Sequence, residues 1–367
     1  MRLIVQPGDG IMPLIQGITG AKSSVEIVIF RSDRREIERA LAAAVSRGVS
    51  VQALIAHTNR AGEENLRKLE LRLLGAGVMV SRTADDLARY HAKLMIVDRR
   101  ELYLLAFNLT YSDIEHSRSF GVVTRSRRLV HESGRLFDAD TKRHPYEPAL
   151  DKFVVSPVNA RKELSGFIKG ARKSLIVYDP EVSDPAMIGL LQERSRAGVD
   201  IRLIGRLARR DRGAIACKLP RMRLHTRTMV RDGELAFIGS QSLRALELDA
   251  RREVGIIFRD PQVVNILVRT FEDDWALAEQ SGQQVEEDSA PATLVAKKVA
   301  KALTRDLPPV APVLNGAVKE LVGEKAGAEF NAEEVEQIVK AAVKDAVKEV
   351  VRDVVEEVVD HSGERAR

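Results

Sequence analysis

Short apolar runs separated by helical patterns dominate residues 1–280 of the chain. The runs VEIVIF (25–30) and SLIVYD (174–179) are rich in β-branched residues and predict strands of a buried sheet. Residues 33–48, DRREIERALAAAVSRG, place apolar side chains three and four positions apart and predict an amphipathic helix that ends at Gly48. Strands that alternate with helices predict an α/β protein with mostly parallel sheets flanked by helices.

This pattern occurs twice. Residues 20–30 (GAKSSVEIVIF) match residues 170–180 (GARKSLIVYDP), and at the same offset Gly48, in AAAVSRGVSVQALIA, matches Gly198, in LQERSRAGVDIRLIG. A later segment also repeats, but at a smaller offset, so the first copy carries an insertion. We place this insertion in the helical stretch 61–77, AGEENLRKLELRLLGAG.

The repeat predicts the domain organisation. Two copies of one α/β unit predict tandem halves, residues 1–145 and 146–280, related by a pseudo-two-fold axis. The composition then shifts, and we expect a linker with a short helix at 281–330 and a long amphipathic helix at 331–361. Pairs of valines recur every four residues in the last helix, as in right-handed supercoils. We expect it to mediate self-association or docking; a membrane-surface helix is the alternative, against which its acidic polar face argues.

Charge is distributed unevenly between the body of the chain and its C-terminal part. The net charge is +5, but residues 281–367 carry 12 Lys and Arg against 17 Asp and Glu, so the preceding residues carry +10. A basic body suits phosphate-bearing partners such as nucleic acid or anionic lipid, and equally a well-solvated surface.

The single Cys217 excludes an internal disulfide and fits a reducing compartment. With no apolar run long enough to span a bilayer, the sequence predicts a cytoplasmic protein that can associate peripherally with a membrane.

Two polar triads share the spacing His-x-basic-x4-Asp. The triads are His91, Lys93 and Asp98, and His225, Arg227 and Asp232. Residues two apart on a strand face the same side, so each His projects together with its cation. If the halves pack about their pseudo-two-fold axis, two imidazoles and two cations converge in one basic cleft. This set suits phosphodiester cleavage without metal or other cofactor: one His attacks phosphorus, the other protonates the leaving oxygen, and the cations bind the non-bridging oxygens.

These segments resemble the paired HxK(x)4D(x)6GSxN motifs of the phospholipase D superfamily, and most closely its cardiolipin-synthase-like members. The resemblance covers most of the chain before the predicted linker. It implies that His91 is the nucleophile, that His225 is the acid, and that Lys93 and Arg227 hold the phosphate. Glu253, downstream of the second motif, matches the acidic residue that orients a catalytic His in the family.

The chain departs from the family pattern at several motif positions. Leu105 and Ala106 stand at the Gly and Ser positions of the first motif, and Ser242 replaces the Asn of the second. Three residues are predicted to bind substrate: Asn108, Ser240 and Ser242. Two are predicted to brace the motifs by pairing with nearby basic groups: Asp98 and Asp232.

The acidic position after the first motif is also changed. Ser119 follows His91 at the same spacing as Glu253 follows His225, so it stands where an acid is expected. The candidates to compensate for this change are Asp113 and Glu115.

Three functions are therefore considered. The first is a phosphodiesterase or phosphatidyltransferase that acts on a phospholipid through a phosphohistidine intermediate. The second is a nuclease of the same superfamily, which the basic body favours and the low aromatic content of 4% disfavours. The third is a binding or scaffold protein built on a decayed site, which the asymmetric motif losses favour.

Overall fold

The strands form two large sheets, one from each half of the repeat. The computed structural model describes residues 1–57, 63–208, 215–220 and 222–288, and Met1–Glu279 form one compact unit. The first sheet has the order β1-β8-β7-β6-β2-β3-β4. Its strands are β1 (Arg2–Gln6), β2 (Ser24–Ile29), β3 (Ser50–Ile55), β4 (Met79–Arg82), β6 (Leu94–Val97), β7 (Glu101–Leu105) and β8 (Ser117–Thr124).

The second sheet repeats this arrangement in the order β9-β17-β15-β14-β10-β11-β12. Its strands are β9 (Phe153–Val155), β10 (Ser174–Val182), β11 (Asp200–Leu207), β12 (Ile215–Cys217), β14 (Arg227–Arg231), β15 (Leu235–Gly239) and β17 (Val254–Phe258). The matching orders confirm the α/β fold with two tandem halves. The helix predicted at 331–361 and most of the predicted linker lie outside the described residues.

The prediction of mostly parallel sheets is wrong, because both sheets are mixed. Along the two strand orders given above, only β2–β3 and β3–β4 in the first sheet, and β10–β11 and β11–β12 in the second, are parallel pairs. Three residues separate β6 from β7, and three separate β14 from β15. Such connections are too short for the crossover that a parallel pair needs, so these strands form hairpins. Their turns begin with left-handed residues, Asp98 and Arg99 in the first and Asp232 and Gly233 in the second.

Helices flank both sheets. They are α1 (Met12–Gly20), α2 (Arg35–Ser46), α3 (Glu63–Gly75), α4 (Tyr111–Glu115), α5 (Arg127–Lys142), α6 (Ala160–Lys169), α7 (Pro185–Arg196), α8 (Ala245–Asp249) and α9 (Pro261–Asp288). Helix α3 lies where the insertion was expected: the connection from β3 to β4 runs over 56–78, whereas that from β11 to β12 runs only over 208–214. None of the helices in the described residues combines the length and the apolar character that spanning a bilayer requires.

The apolar residues 94–96, between Lys93 and Asp98 of the first motif, are divided between two cores. Leu94 and Ile96 of β6 join a central cluster that also contains Val230 and Ile238 of the second half. Met95 joins a separate cluster with the residues under α1 and α2. This alternation follows from the period of two along a strand. Both sheets therefore contribute one face to a shared core, which joins the halves.

One short strand before each motif pairs with the opposite half. Strand β5 (Arg89–Tyr90) pairs with β16 (Arg251–Arg252), and β13 (Arg223–Leu224) pairs with β8 beside Ser117. Because β5 precedes the first motif and β13 precedes the second, each motif enters its sheet from a strand bound to the other half. This reciprocal pairing brings the two motifs together.

The aspartates of both motifs anchor the chain before a neighbouring strand. The carboxylate of Asp98 accepts hydrogen bonds from the backbone amides of residues 22–24 at 2.7–3.1 Å. Asp232 does the same with the amides of residues 172–174. Both aspartates therefore bind backbone amides, whereas the sequence predicted that they pair with basic side chains.

We predict that Asp98→Ala lowers the free energy of unfolding by about 2 kcal/mol, because it leaves several amides without their carboxylate acceptor. Asp98→Asn should cost less, since its amide oxygen still accepts. Urea denaturation measures both changes, with the exposed Asp151→Ala as the control. A loss for Asp98→Ala no larger than that of the control would contradict the anchoring role.

Candidate active site

His91 is held by a carboxylate from the other half of the molecule. Its side chain is buried directly after β5, and its Nδ1 lies 2.8 and 3.0 Å from the two carboxylate oxygens of Glu253. Glu253 is completely buried between β16 and β17. The backbone amide of His91 also donates to Arg252 O at 2.7 Å, so the strand pairing and the side-chain contact reinforce each other. The ring of Phe30 packs edge-on against the imidazole, with 4.5 Å between ring centroids.

His225 occupies the equivalent place in the second half. It is buried directly after β13, and its backbone amide donates to Arg118 O at 3.0 Å. Its Nδ1 lies 3.3 Å from Asp113 Oδ2, an ion-pair distance without hydrogen-bond geometry. Glu115, the other acidic candidate, faces away and pairs with Arg34 at 3.0 Å.

The two cations follow their histidines in the same manner. Lys93 Nζ donates to His91 O at 2.7 Å, and Arg227 Nη1 donates to His225 O at 2.9 Å. Arg227 Nε also donates to Ser242 Oγ at 3.1 Å. Lys93 is 3% exposed, which matters because a cation this buried favours an anionic partner.

Asn108 and Ser242 lie at equivalent positions, and each binds a carboxylate of the following short helix. The backbone amide of Asn108 donates to Asp113 at 2.8 Å, and that of Ser242 donates to Glu247 at 2.8 Å. The side-chain amide of Asn108 binds the same carboxylate at 2.6 Å, while its buried Oδ1 has no hydrogen-bond partner among the described residues. Both residues thus border the site, and their main contacts are with protein groups.

Ser240 braces Glu253 rather than facing open space. It is completely buried, and its hydroxyl accepts a hydrogen bond from the Val254 amide at 3.1 Å. Its expected role in binding substrate is therefore not what this geometry favours. In the first half Ala106 takes the place of Ser240, and the equivalent of Glu253 is Ser119. The hydroxyl and the carboxylate that it supports are absent together.

Glycine is required at the end of β15, where Gly239 of the second motif lies opposite Gly255 of β17. A Cβ at Gly239 would lie 2.8 Å from Gly255 Cα, closer than real contacts allow. In the first half the side chain of Leu105 lies over Gly121, where a Cβ would be 2.9 Å from Leu105 Cδ2. Leu105 can therefore replace the motif glycine because the neighbouring Gly121 leaves room for its side chain.

Burial and neighbouring positive charges lower the pKa values of His91, Lys93 and His225. Burial lowers the pKa of His91 well below its usual value, and Lys93 and Arg227 lower it further. Burial likewise lowers the pKa of His225 well below its usual value. The pKa of Lys93 falls to about 7, mainly through burial. Arg227 affects the pKa values of both histidines, which places the two motifs in one electrostatic site.

The pKa of Glu253 is shifted in the opposite direction. Burial raises the pKa of Glu253, although Lys93 and a hydrogen bond from Ser240 oppose the rise. With His91 neutral and its Nδ1–H donated to Glu253, the lone pair of Nε2 is free to attack an electrophile. Among the residues that the structure describes, no cluster of three or more His, Cys, Asp or Glu side chains is arranged to hold a metal ion.

The site also contains residues outside the set predicted from sequence. Glu247 accepts from Arg251 at 3.0 Å and lies 3.9 Å from Arg227 Nη2. Asp179 is buried and binds the amide of Leu243, just after the second motif; burial raises its pKa to about 7. One signal could have found Glu247, which is related to Asp113 by the same offset that relates the two motifs.

Comparison with known proteins identifies the family that the chain resembles. The family model described as "Cardiolipin synthase, PLD-like domain" matches residues 14–141 and 164–275. Polyphosphate kinase 1 of Chlorobaculum tepidum is 30% identical over 225 residues, which are 56% of this chain and 32% of that protein. The chain thus spans about a third of the length of this curated relative.

Two solved structures share the fold. Polyphosphate kinase from Porphyromonas gingivalis superposes with a TM-score of 0.63 and 21% identity, covering 74% of this chain and 49% of that chain. Phosphatidylserine synthase from Haemophilus influenzae Rd KW20 superposes with a TM-score of 0.60 and 9% identity, covering 76% of this chain and 86% of that chain.

The lowered pKa values predict proton-coupled anion binding. Because these groups bind protons more weakly in the folded protein than in the unfolded chain, stability falls as the pH drops below their ordinary pKa values, about 10.5 for Lys93 and about 6.5 for the histidines. An anion in the site favours the protonated forms of these groups and therefore opposes the loss of stability at lower pH. We expect sulfate affinity to increase from about pH 9 to about pH 7, by up to roughly tenfold per pH unit for each proton taken up.

Calorimetric titration with sulfate at several pH values measures this coupling. Lys93→Met should weaken binding and flatten its pH dependence, whereas Lys152→Met on the surface should leave both unchanged. A pH-independent sulfate affinity in the unaltered protein would show that the site does not take up protons on binding an anion.

Proposed function

The chain belongs to the family described as "Cardiolipin synthase, PLD-like domain", and from this premise we propose that it cleaves phosphodiesters through a covalent phosphohistidine on His91. One observation carries the proposal: Glu253 accepts from Nδ1 of His91 across the two halves at 2.8 Å. This contact selects the tautomer in which Nε2 is unprotonated and directs it away from the carboxylate.

The first step forms a phosphorus–nitrogen bond and breaks a phosphorus–oxygen bond. Nε2 of His91 attacks phosphorus, and the leaving oxygen departs with a proton from His225. The phosphate anion adds negative charge to the cleft, which raises the pKa of His225 and lets it carry this proton. Lys93 and Arg227 neutralise the charge on the non-bridging oxygens.

The second step reverses these roles. Water or an alcohol attacks the phosphohistidine, and the neutral His225 accepts its proton. The phosphorus–nitrogen bond breaks, and its electron pair returns to Nε2 of His91. Water gives hydrolysis and an alcohol gives transfer, so one site supports both a phosphodiesterase and a phosphatidyltransferase.

A phospholipid is the substrate that we propose. The family description names cardiolipin synthase, and a structure of the same fold is a phosphatidylserine synthase. Such a substrate brings the protein into peripheral contact with a membrane surface. The charge of +10 on the body favours nucleic acid as a second candidate. The named relative polyphosphate kinase favours phosphoryl transfer from polyphosphate as a third.

The retained site argues for an enzyme over a scaffold. Burying a cation such as Lys93 is costly without a compensating anion. A protein that only bound partners would have no use for a buried cation at this position. The changed residues of the first motif are accommodated by packing, and both histidines keep a carboxylate within 3.3 Å.

We predict that the protein hydrolyses bis(p-nitrophenyl) phosphate in EDTA and that His91→Ala lowers the rate by at least about 10³-fold, since the nucleophile is lost. Glu253→Gln should reduce kcat by about 10²-fold or more with little change in KM, because the tautomer of His91 is no longer held. His131→Ala, an exposed histidine on α5, serves as the matched control.

The substrate is tested in parallel with vesicles of phosphatidylglycerol or phosphatidylcholine, labelled DNA and inorganic polyphosphate. Turnover of the lipid alone supports the phospholipid assignment, and turnover of DNA or polyphosphate alone replaces it. Failure of the folded protein to act on any of these substrates, including the chromogenic diester, would refute the enzymatic proposal.

A further inference from the structure

The second half supplies Glu253 to His91, but the first half has no acid at the equivalent position beside His225. Glu253 directly follows Arg252, whose carbonyl accepts from the His91 amide. By the repeat, Ser119 directly follows Arg118, whose carbonyl accepts from the His225 amide. Ser119 is completely buried, and its hydroxyl has no hydrogen-bond partner among the described residues. The position that should orient His225 is therefore occupied by a side chain too short to reach it.

A different carboxylate stands beside His225. Asp113 is 2% exposed, and its Oδ2 lies 3.3 Å from His225 Nδ1. Thr110 caps helix α4 by accepting from the Asp113 amide, which sets the helix and directs this side chain inward. Asn108 and Arg223 donate to the carboxylate and hold it in place.

We propose that Asp113 is the positioning residue for His225 and replaces the acid that is missing at Ser119. The inference rests on the proposed function, because it concerns the proton donor of that reaction. Asp113 acts through His225 and does not touch the substrate. It orients the imidazole through Nδ1 and stabilises its protonated form, as a carboxylate does for a catalytic imidazole elsewhere.

Comparison of the halves shows why the residue at this position can orient a histidine in the first half but not in the second. Glu247 is the equivalent of Asp113, and it binds Arg251 at 3.0 Å. Ser117 stands at the first-half position equivalent to Arg251, so the arginine that Asp113 binds is Arg223 of the other half. Glu247 is thus engaged by its own half, whereas Asp113 faces the histidine of the other.

The charge state of Asp113 agrees with this role. Burial alone would raise its pKa, but His225, Arg223 and the Asn108 amide together lower it. Asp113 therefore stays ionised at neutral pH. The 3.3 Å separation is longer than the contact of His91 with Glu253, and catalytic hydrogen bonds of this kind commonly tighten only when substrate binds.

The first test reads His225 directly and needs no activity. Proton–nitrogen NMR of the full-length protein with ¹⁵N-labelled histidine reports the tautomer and pKa of His225, in the free state and with sulfate bound. Asp113→Asn should lower this pKa by about one unit or more in both states, because a nearby negative charge is removed. Glu115→Gln, whose parent side chain binds Arg34, is the matched control. An unchanged tautomer and pKa of His225 in Asp113→Asn would overturn the proposal.

The second test relocates the acid. Ser119→Glu, with Ala106→Ser to supply the hydroxyl that Ser240 provides in the other half, rebuilds the arrangement around Glu253. In the Asp113→Asn background this pair of changes should restore the pKa of His225. Asp113 also anchors Asn108 and Arg223, and the carboxylate introduced by Ser119→Glu does not replace these contacts. Simple misfolding of Asp113→Asn would therefore not be rescued by it. A folded triple variant with no recovery of the pKa would contradict the inference.

Kinetics separate this inference from the proposed function. If His225 is the acid, Asp113→Asn should slow diesters with alkyl leaving groups about tenfold more than diesters with p-nitrophenol, which departs without a proton. An equal loss for both would mean that Asp113 has only a structural role. If no diester is turned over but the pKa of His225 follows Asp113, the positioning role stands and the proposed reaction falls.

Discussion

The hydrogen bonds between each motif and the opposite half are the constraint on which the site depends. His91 N donates to Arg252 O, and His225 N donates to Arg118 O. The residue after Arg252 is Glu253, so the pairing that positions the first histidine also delivers its carboxylate. Neither half could form the His91 contact alone, because its two partners come from different halves. The central apolar cluster, to which both sheets contribute, holds this register rigidly.

The same framework supports two unequal histidines. His91 has a carboxylate with both oxygens within 3.0 Å of Nδ1, whereas His225 has one oxygen at 3.3 Å that also accepts from Asn108. A nucleophile benefits from a fixed tautomer, while a proton donor must change its charge during each step. The division of labour between the motifs therefore follows from which carboxylate each half supplies, and the motif substitutions need not indicate decay.

The repeat, the alternation of strands and helices and the polar triads were all predictable, since each depends on local patterns within the chain. Strand direction was not, because apolar runs such as VEIVIF do not reveal which neighbour they pair with. The choice between Asp113 and Glu115 was also beyond the sequence. Both lie on one short helix, and only the Thr110 cap and the contact of Glu115 with Arg34 decide which carboxylate faces inward. The burial of Ser240 was also beyond the sequence, because burial is a tertiary property.

The proposed reaction requires a covalent bond between His91 and phosphorus, which trapping of the intermediate followed by peptide mapping detects. In His225→Ala the adduct from bis(p-nitrophenyl) phosphate should accumulate, because p-nitrophenol leaves without an acid while the second step lacks its base. Mass spectrometry at neutral or alkaline pH should then find an acid-labile aryl phosphoryl group on the peptide that contains His91. Phosphorylation of another residue, or continued turnover with His91 unmodified at every time point, would contradict the account.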